Sequence, residues 1–320
     1  RRAGQGLQWA YEAGVSHARS HCDWWEPDSV PVAWEVLREL AQEWAGRVLL
    51  ERVSLIPLHL YEERGMAMRL AKQVALSGAG ALLGGFVHST NWSPQALRNL
   101  LEAAQQHGLD VDLHVDDELN PAAQGLATTA ALLKELRFEA RVVCGHTCAL
   151  AAQPLEQALR TLDAVASTPI TMVSLPVTNL LLQDAQTGVT PRQRGLTLLK
   201  EARARGIPLM ISSDNVQDPF CPLGSFDPLE ALTTGVAAAQ LTSAFDEWSD
   251  SVCRRDWLGH GVGRLPLQPG ATADLVILPQ SSVSGFPSRS QRRVVMREGR
   301  VSNGEPLAAW FSPCIERSVA

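Results

Sequence analysis

The stretch "DLHVDDELNP" (112–121) places His114, Asp117 and Glu118 where an apolar run gives way to polar text. Two more polar residues close apolar runs of their own: His146 in "ARVVCGHT" (140–147) and Asp214 in "PLMISSD" (208–214). Taken singly, each reads as a hydrogen-bonded core residue. Taken together, two imidazoles and a carboxylate at the ends of three strands read as a site for one divalent metal ion, Zn²⁺ or Fe²⁺. An ion with an open position activates water near neutral pH, and a neighbouring acid must then carry protons. Asp117 and Glu118 are both close enough in sequence for that task.

Residues of this kind need rigid elements to aim them. Short runs rich in Val, Ile and Leu recur at 14–24, 47–58, 80–89, 111–116, 140–147, 170–177 and 208–214. Amphipathic stretches lie between them. In "SPQALRNLLEAAQQHG" (93–108), Leu97, Leu100, Leu101 and Ala104 fall on one helix face and Gly108 supplies a stop. Near-continuous apolar strands alternating with helices predict a parallel sheet covered by helices. With seven strands and a helix before the first, the expected fold is α/β, a (β/α)₈ TIM-type barrel lacking its first strand. An open doubly wound sheet is the alternative, but no GxGxxG opens a helix. His88, His114, His146 and Asp214 each end a different strand, and only a barrel brings all those ends to one face.

After about residue 262 the text changes to strand–turn–strand, in 267–279 and 292–307, with "REGR" as a hairpin turn. The expected organisation is a barrel over 1–262 and part of a small β-sandwich domain over 263–320, with 281–290 as a loop.

Composition narrows the function classes. A net charge of −6 over 320 residues gives no basic footprint for nucleic acid. No apolar run approaches the roughly 18 residues of a membrane span. Six scattered cysteines without a CxxC pair read as reduced thiols, and so a cytoplasmic protein, rather than a disulfide framework. The chain opens "RRAGQGLQWAYEAG", with neither an initiator Met nor an apolar signal core, and a preceding segment is expected.

"DLHVDD", "CGHT", "SSDNVQDPFCPLG" and "PGATADLVILP", in that order, resemble the cytosine deaminase branch of the amidohydrolase superfamily, from about Gly14 to Val301. The resemblance implies a metal-dependent barrel enzyme that hydrolyses a C–N bond of a cyclic amidine and releases ammonia. It implies that His114 and Asp214 are metal ligands and that His146 orients the water the metal activates. The family also carries an H-x-H pair on its first strand; no H-x-H occurs in this sequence, and the pair is expected before Arg1. A family glutamate three residues after the strand histidine is replaced by Asp117, about 1.5 Å shorter in reach. Either Asp117 or Glu118 is then the expected proton carrier.

The resemblance also implies that "FVHSTNWSP" (86–94) reads the edge of the ring. His88, Asn91 and Trp92 are the candidates there, with Asp218 and Phe220 on the opposite wall. Asn215 stands where cytosine deaminases carry aspartate. His59 is a rim or surface residue. His17 and His21 are four apart on a strand, roughly 13 Å, too far to share one ion. His21 reads first as part of a polar network in the barrel and second as a ligand. "CGHTC" lacks the second thiolate pair of a zinc finger, and the H-x-E with P-C-x-x-C signature of cytidine deaminases is absent. Tryptophans in "HCDWWEP" and "EWSDSVCRRDWLG" read as rim packing. The expected partner is a small heterocycle, with neither nucleic acid nor membrane, and a homo-oligomer is compatible. Two alternatives are an amidohydrolase for another cyclic amidine or an N-alkylated triazine-type ring, and a heterocycle-binding barrel without turnover.

Overall fold

A computed structural model describes residues 1–241, 245–260, 269–270, 272–278, 285–287, 290 and 292–303. The chain opens with α1 (Arg2–Ala13), β1 (His17–Asp23), α2 (Val32–Glu43) and β2 (Leu49–Leu55). It continues through α3 (Arg64–Leu76), β3 (Ala81–Val87), α4 (Pro94–His107), β4 (Val111–Val115), α5 (Gly125–Glu135) and β5 (Val142–His146). Then come α6 (Leu155–Val165), β6 (Ile170–Ser174), α7 (Pro176–Leu182), α8 (Leu199–Ala204), β7 (Leu209–Ile211), α9 (Pro228–Ala239) and α10 (Phe245–Trp248).

Helix α4 shows how local sequence sets these elements. Ser93 Oγ accepts the Ala96 N–H at 3.1 Å, Pro94 occupies the first turn, and Gly108 ends the helix in the left-handed region at φ 64°. Between the caps Leu97, Leu100, Leu101 and Ala104 form one fully buried face. Loss of the Ser93 cap would cost about 1 kcal/mol.

All seven strands β1–β7 pair in parallel and in chain order; among the described residues β1 pairs only with β2 and β7 only with β6. The sheet is curled. Strands β1 and β4 are three places apart, roughly 14 Å in a flat sheet. Yet Arg19 Nη1 on β1 donates to Asp112 Oδ2 on β4 at 3.0 Å, and the His21 and His114 rings lie 4.5 Å apart. The interior is therefore the lumen of a TIM-type barrel, as the strand pattern predicts. A short 3₁₀ turn, Arg255–Leu258, sits against the N-terminal end of that lumen. Its Leu258 carbonyl accepts from Arg19 at 3.0 Å and its Trp257 carbonyl from Thr171 on β6 at 2.8 Å.

β8 (Leu275–Ile277), β9 (Val294–Arg297) and β10 (Arg300–Asn303) form a small antiparallel sheet, with Glu298 and Gly299 turning the predicted hairpin. It is anchored to the barrel by ion pairing: Arg293 Nη1 and Nη2 meet the Asp227 carboxylate at 2.9 and 2.7 Å. Of the predicted 267–279 strand text, only 275–277 is strand among the described residues. The boundary expected near 262, the stretch 304–307 and most of the 281–290 loop lie outside the described residues.

Candidate active site

His114 is the fourth residue of β4, His146 the last of β5, and Asp214 follows β7 by three residues. All three lie at the C-terminal ends of the strands, the face on which barrel enzymes build their chemistry. The His114 and His146 rings stand 4.6 Å apart. Asp214 is close enough to His146 and His21 for both to act on its charge. The backbone bends sharply here: Asp116, His146, Thr147 and Asp214 have φ of 51°, 67°, 53° and 63°. Side chains other than glycine adopt that region only where surrounding structure compels them, and such residues concentrate at functional sites.

Two polar atoms in this cluster, His146 Nε2 and Asp214 Oδ2, are buried without a hydrogen-bond partner among the described residues. Buried polar atoms of this kind cost stability unless something satisfies them. His114 makes no side-chain hydrogen bond among the described residues, and burial, with His21 and His146 nearby, holds its pKa well below the ordinary histidine value. A neutral imidazole and a carboxylate with a free oxygen are the donor set that a divalent ion needs.

Asp117 is tied to His146 from behind. Its Oδ1 lies 3.1 Å from His146 Nδ1 and accepts from Asn179 Nδ2 at 3.0 Å and Gln183 Nε2 at 2.9 Å. Asn179 Nδ2 is also 3.1 Å from His146 Nδ1. Since both nitrogens face the same oxygen, the consistent assignment gives each a hydrogen directed at Asp117, and His146 Nε2 then faces the cluster. Burial works against charge on both partners. For Asp117 the His146 ring outweighs burial and lowers the pKa; for His146 the Asp117 carboxylate outweighs it and raises the pKa. Burial, with Asp117 adding to it, raises the pKa of Asp214. Asp117 Oδ2 accepts no hydrogen bond among the described residues, and Asp117 borders a cavity of about 610 Å³ that Glu118, Asn120 and Gln183 also line.

Glu118, the other candidate proton carrier, is committed elsewhere: it accepts from Ser89 N at 2.6 Å and from Ser89 Oγ. Asn91 is engaged within its own loop. Its Oδ1 accepts from His88 N at 3.0 Å and its Nδ2 donates to the Phe86 carbonyl at 2.8 Å, so the amide holds its own loop. Trp92 packs against the hydrophobic core. His88 stacks on Phe86 at 5.5 Å and its Nε2 approaches Glu118 at 3.7 Å. Asp218 accepts from Asn215 and from the backbone of Phe220 and Cys221, closing its loop, whereas Phe220 is 65% exposed. His59 lies exposed on a 3₁₀ turn.

Asn179 and Gln183 are not among the residues that the sequence singles out. Their signal is present in "PVTNLLLQD" (176–184): a polar pair spaced i, i+4 in the helix that opens directly after β6. Equally unforeseen is the network at the opposite end of the lumen. Glu51 Oε2 meets His17 Nε2 at 2.7 Å and Arg19 Nε at 2.6 Å, and its Oε1 meets His260 Nε2 at 2.7 Å. His17, Glu51 and His260 are the one group among the described residues with three ligating atoms within 4.8 Å of one another; those of the upper cluster stand wider apart. The Arg19 guanidinium on the shared carboxylate repels a second cation, so the lower group is read as an ion-pair network. Burial opposes ionisation of Glu51, but the hydrogen bond from His17 and the Arg19 charge outweigh it and take its pKa down to about 2. Burial also holds His17 below its ordinary value, which leaves Arg19 as the principal cation.

Imidazoles and carboxylates gathered on the C-terminal face of a curled parallel sheet define the class, a barrel enzyme with a site suited to a metal ion. The chain belongs to the amidohydrolase family, whose profile matches residues 2–302. That family is metal-dependent. A pterin deaminase of Rhizobium rhizogenes is 36% identical over 299 residues, covering 92% of this chain and 67% of that protein. Among solved structures, 5-methylcytosine deaminase from Klebsiella pneumoniae matches with a TM-score of 0.79 at 24% identity, over 95% of this chain and 75% of that one. N-isopropylammelide isopropylaminohydrolase from Burkholderia multivorans matches with a TM-score of 0.70 at 22% identity, over 93% and 74%. The two structures share this fold.

Proposed function

We propose that this chain hydrolyses the exocyclic C–N bond of an amino-substituted nitrogen heterocycle, with a pterin as the first candidate, and releases ammonia. The observation that carries the reading is the pair of buried, unpartnered atoms, His146 Nε2 and Asp214 Oδ2, beside His114 at the strand ends. The 36% identity to a pterin deaminase supports the choice of ring. The adjoining cavity of about 610 Å³ is of the size that takes a small bicyclic ligand.

His114 and Asp214 would hold one divalent ion, Zn²⁺ or Fe²⁺, which when bound supplies a nucleophile from water at neutral pH. The other duties fall to the chain itself. His146, backed by Asp117, presents Nε2 to the reacting centre and orients the attacking water. Asp117 Oδ2 carries the proton from that water to the departing nitrogen. The water oxygen bonds to the ring carbon, the C–N bond breaks, and ammonia leaves. His88 and exposed Phe220 are the residues read as meeting a flat ring, while Asn91, Trp92 and Asp218 shape the loops that carry them. Buried free thiols at Cys22, Cys144, Cys148 and Cys221 support a cytoplasmic setting, and among the described residues no helix is long and apolar enough to cross a membrane.

The test is ammonia release from pterin, cytosine, isocytosine and an aminotriazine, with Zn²⁺ or Fe²⁺ supplied and metal content measured in parallel. Fastest release from pterin is expected. Release from cytosine or the triazine alone would keep the reaction and replace the ring; metal-loaded protein that releases ammonia from none of them would overturn the reading.

A further inference from the structure

Asn179 on α7 and Gln183 at its end stand one turn apart, the Gln183 N–H closing on the Asn179 carbonyl at 2.9 Å. That spacing puts both amides on one face. They converge on a single atom. Asn179 Nδ2 donates to Asp117 Oδ1 at 3.0 Å and Gln183 Nε2 at 2.9 Å. His146 Nδ1 reaches the same oxygen at 3.1 Å and the Cys148 thiol at 3.6 Å. Gln183 Nε2 also lies 3.3 Å from the Asp117 carbonyl. Every donor that Asp117 receives on its carboxylate stands on Oδ1, and Oδ2 has none among the described residues.

The two oxygens of an aspartate exchange places when its terminal torsion turns, and that torsion is soft and roughly two-fold. Crowding the donors onto Oδ1 removes this freedom. A proton arriving at Asp117 then goes to Oδ2, the oxygen with no donor against it. Stability alone does not account for the pair. Asn179 is fully buried and its Oδ1 has no partner among the described residues, a cost that an apolar side chain of similar size would avoid. The segment 193–197 supports the arrangement from its other side. Gly195 has φ 62°, and a Cβ there would stand 2.2 Å from Gln183 Cβ, so glycine is what lets Gln183 lie where it does. Two residues on, Thr197 Oγ1 donates to the His146 carbonyl at 2.5 Å.

We propose that Asn179 and Gln183 are positioning residues for proton transfer. They hold Asp117 so that Oδ2 alone takes the proton from the attacking water and returns it to the departing nitrogen, and Gly195 keeps Gln183 in place. The proposal rests on the proton-carrying role given to Asp117 under the proposed function. Each amide spends its donor on Asp117, so its loss falls on kcat and not on metal content or KM.

The experiment measures kcat, KM and bound Zn²⁺ for the wild type, Gln183→Met, Asn179→Leu, Gly195→Ala, Asp117→Asn and the double variant Gln183→Met with Asp117→Asn, using pterin or the ring that the wild type turns over fastest. Gln183→Met and Asn179→Leu keep side-chain volume and remove the donor. Each is expected to lower kcat about 10- to 100-fold, with KM within about threefold and Zn²⁺ content unchanged. Gln183→Met serves alone if Asn179→Leu does not fold. Gly195→Ala, which removes no polar group, is expected to lower kcat about 10-fold by displacing Gln183. With Asp117→Asn already in place, Gln183→Met should cost less than about threefold more, because there is no proton carrier left to position. A kcat within about twofold of wild type in the amide variants, with turnover lost in Asp117→Asn, would make the pair structural and overturn the proposal alone. So would losses that multiply in full in the double variant. Unchanged turnover in Asp117→Asn would overturn the proton-carrying role and this proposal with it.

Discussion

At the N-terminal end of the lumen, Glu51 receives His17, Arg19 and His260, each within 2.7 Å. At the C-terminal end, His146 Nε2 and Asp214 Oδ2 are buried with no hydrogen-bond partner among the described residues. Both ends use histidine and carboxylate, and both are built on the strands of the same sheet. The lower end spends its polar atoms on one another, His17 Nδ1 being the exception. The upper end also holds Asp116, His146, Thr147 and Asp214, four of the nine non-glycine residues with positive φ among the described residues. Saturated polar groups stabilise a fold, whereas unsatisfied ones on compelled backbone are kept for a ligand. On the proposed reading, the difference separates residues that hold the barrel from residues that act on a ligand.

The sharpest way to break this comparison is to remove the proposed upper-end ligands. His114→Ala and Asp214→Asn should abolish measurable Zn²⁺ binding in a calorimetric titration and lower ammonia release about 10³-fold or more, with thermal stability unchanged or raised. A large loss of stability would show that these residues hold the fold after all. His146→Ala should retain metal and slow turnover about 10²- to 10⁴-fold, the usual range for a proton-handling group. Loss of metal in His146→Ala would reverse its role with that of His114.

Lower-end substitution should do the opposite. Glu51→Gln leaves Arg19 with one buried partner fewer and should destabilise by about 3 kcal/mol at pH 7, read by denaturant unfolding. The sign of the pKa shift sets the pH dependence. A carboxylate whose pKa falls from 4.5 unfolded to about 2 folded adds stability above pH 4.5, and that increment disappears as pH drops through about 2. The stability gap between wild type and Glu51→Gln should therefore be full near neutrality and close in acid. A gap constant across that window would mean that Glu51 charge is not what matters. The smallest effect is expected at Asn91→Ala, which removes two loop hydrogen bonds: about 1 kcal/mol of stability, with turnover within about twofold. A turnover loss comparable to His146→Ala would restore Asn91 as a ring-reading residue.

Most of the seven strands are legible in the sequence because they are near-continuous apolar runs bounded by Gly, Pro or polar text, β1 (HARSHCD) being the polar exception, and the ends of β4 and β5 carry the histidines that mark the face. The path of the chain beyond a strand end is not legible in the same way. Counting alternate faces forward from His114 fails at Asp116, whose φ of 51° turns the chain out of the strand. Which way Asp117 and Glu118 point is then decided by Asn179, Gln183 and Ser89, which are distant in sequence. The lower network is hidden for the same reason, since Glu51 meets partners 34 and 209 residues away. Periodicity reports which face is buried, not which side chain waits there.

The loop after Asp214 closes on itself. Gln217 N–H donates to the Leu223 carbonyl at 3.0 Å, Gln217 Nε2 to the Gly224 carbonyl at 3.2 Å, and Asp218 gathers the Phe220 and Cys221 amides. Because those bonds run within the segment, its fold draws little on the strand beneath it. Such a segment is a self-contained unit: replacing exposed Phe220 should leave Asp214 where β7 holds it. On the proposed reading, exchange of this rim segment would change ring preference without disturbing the strands beneath it.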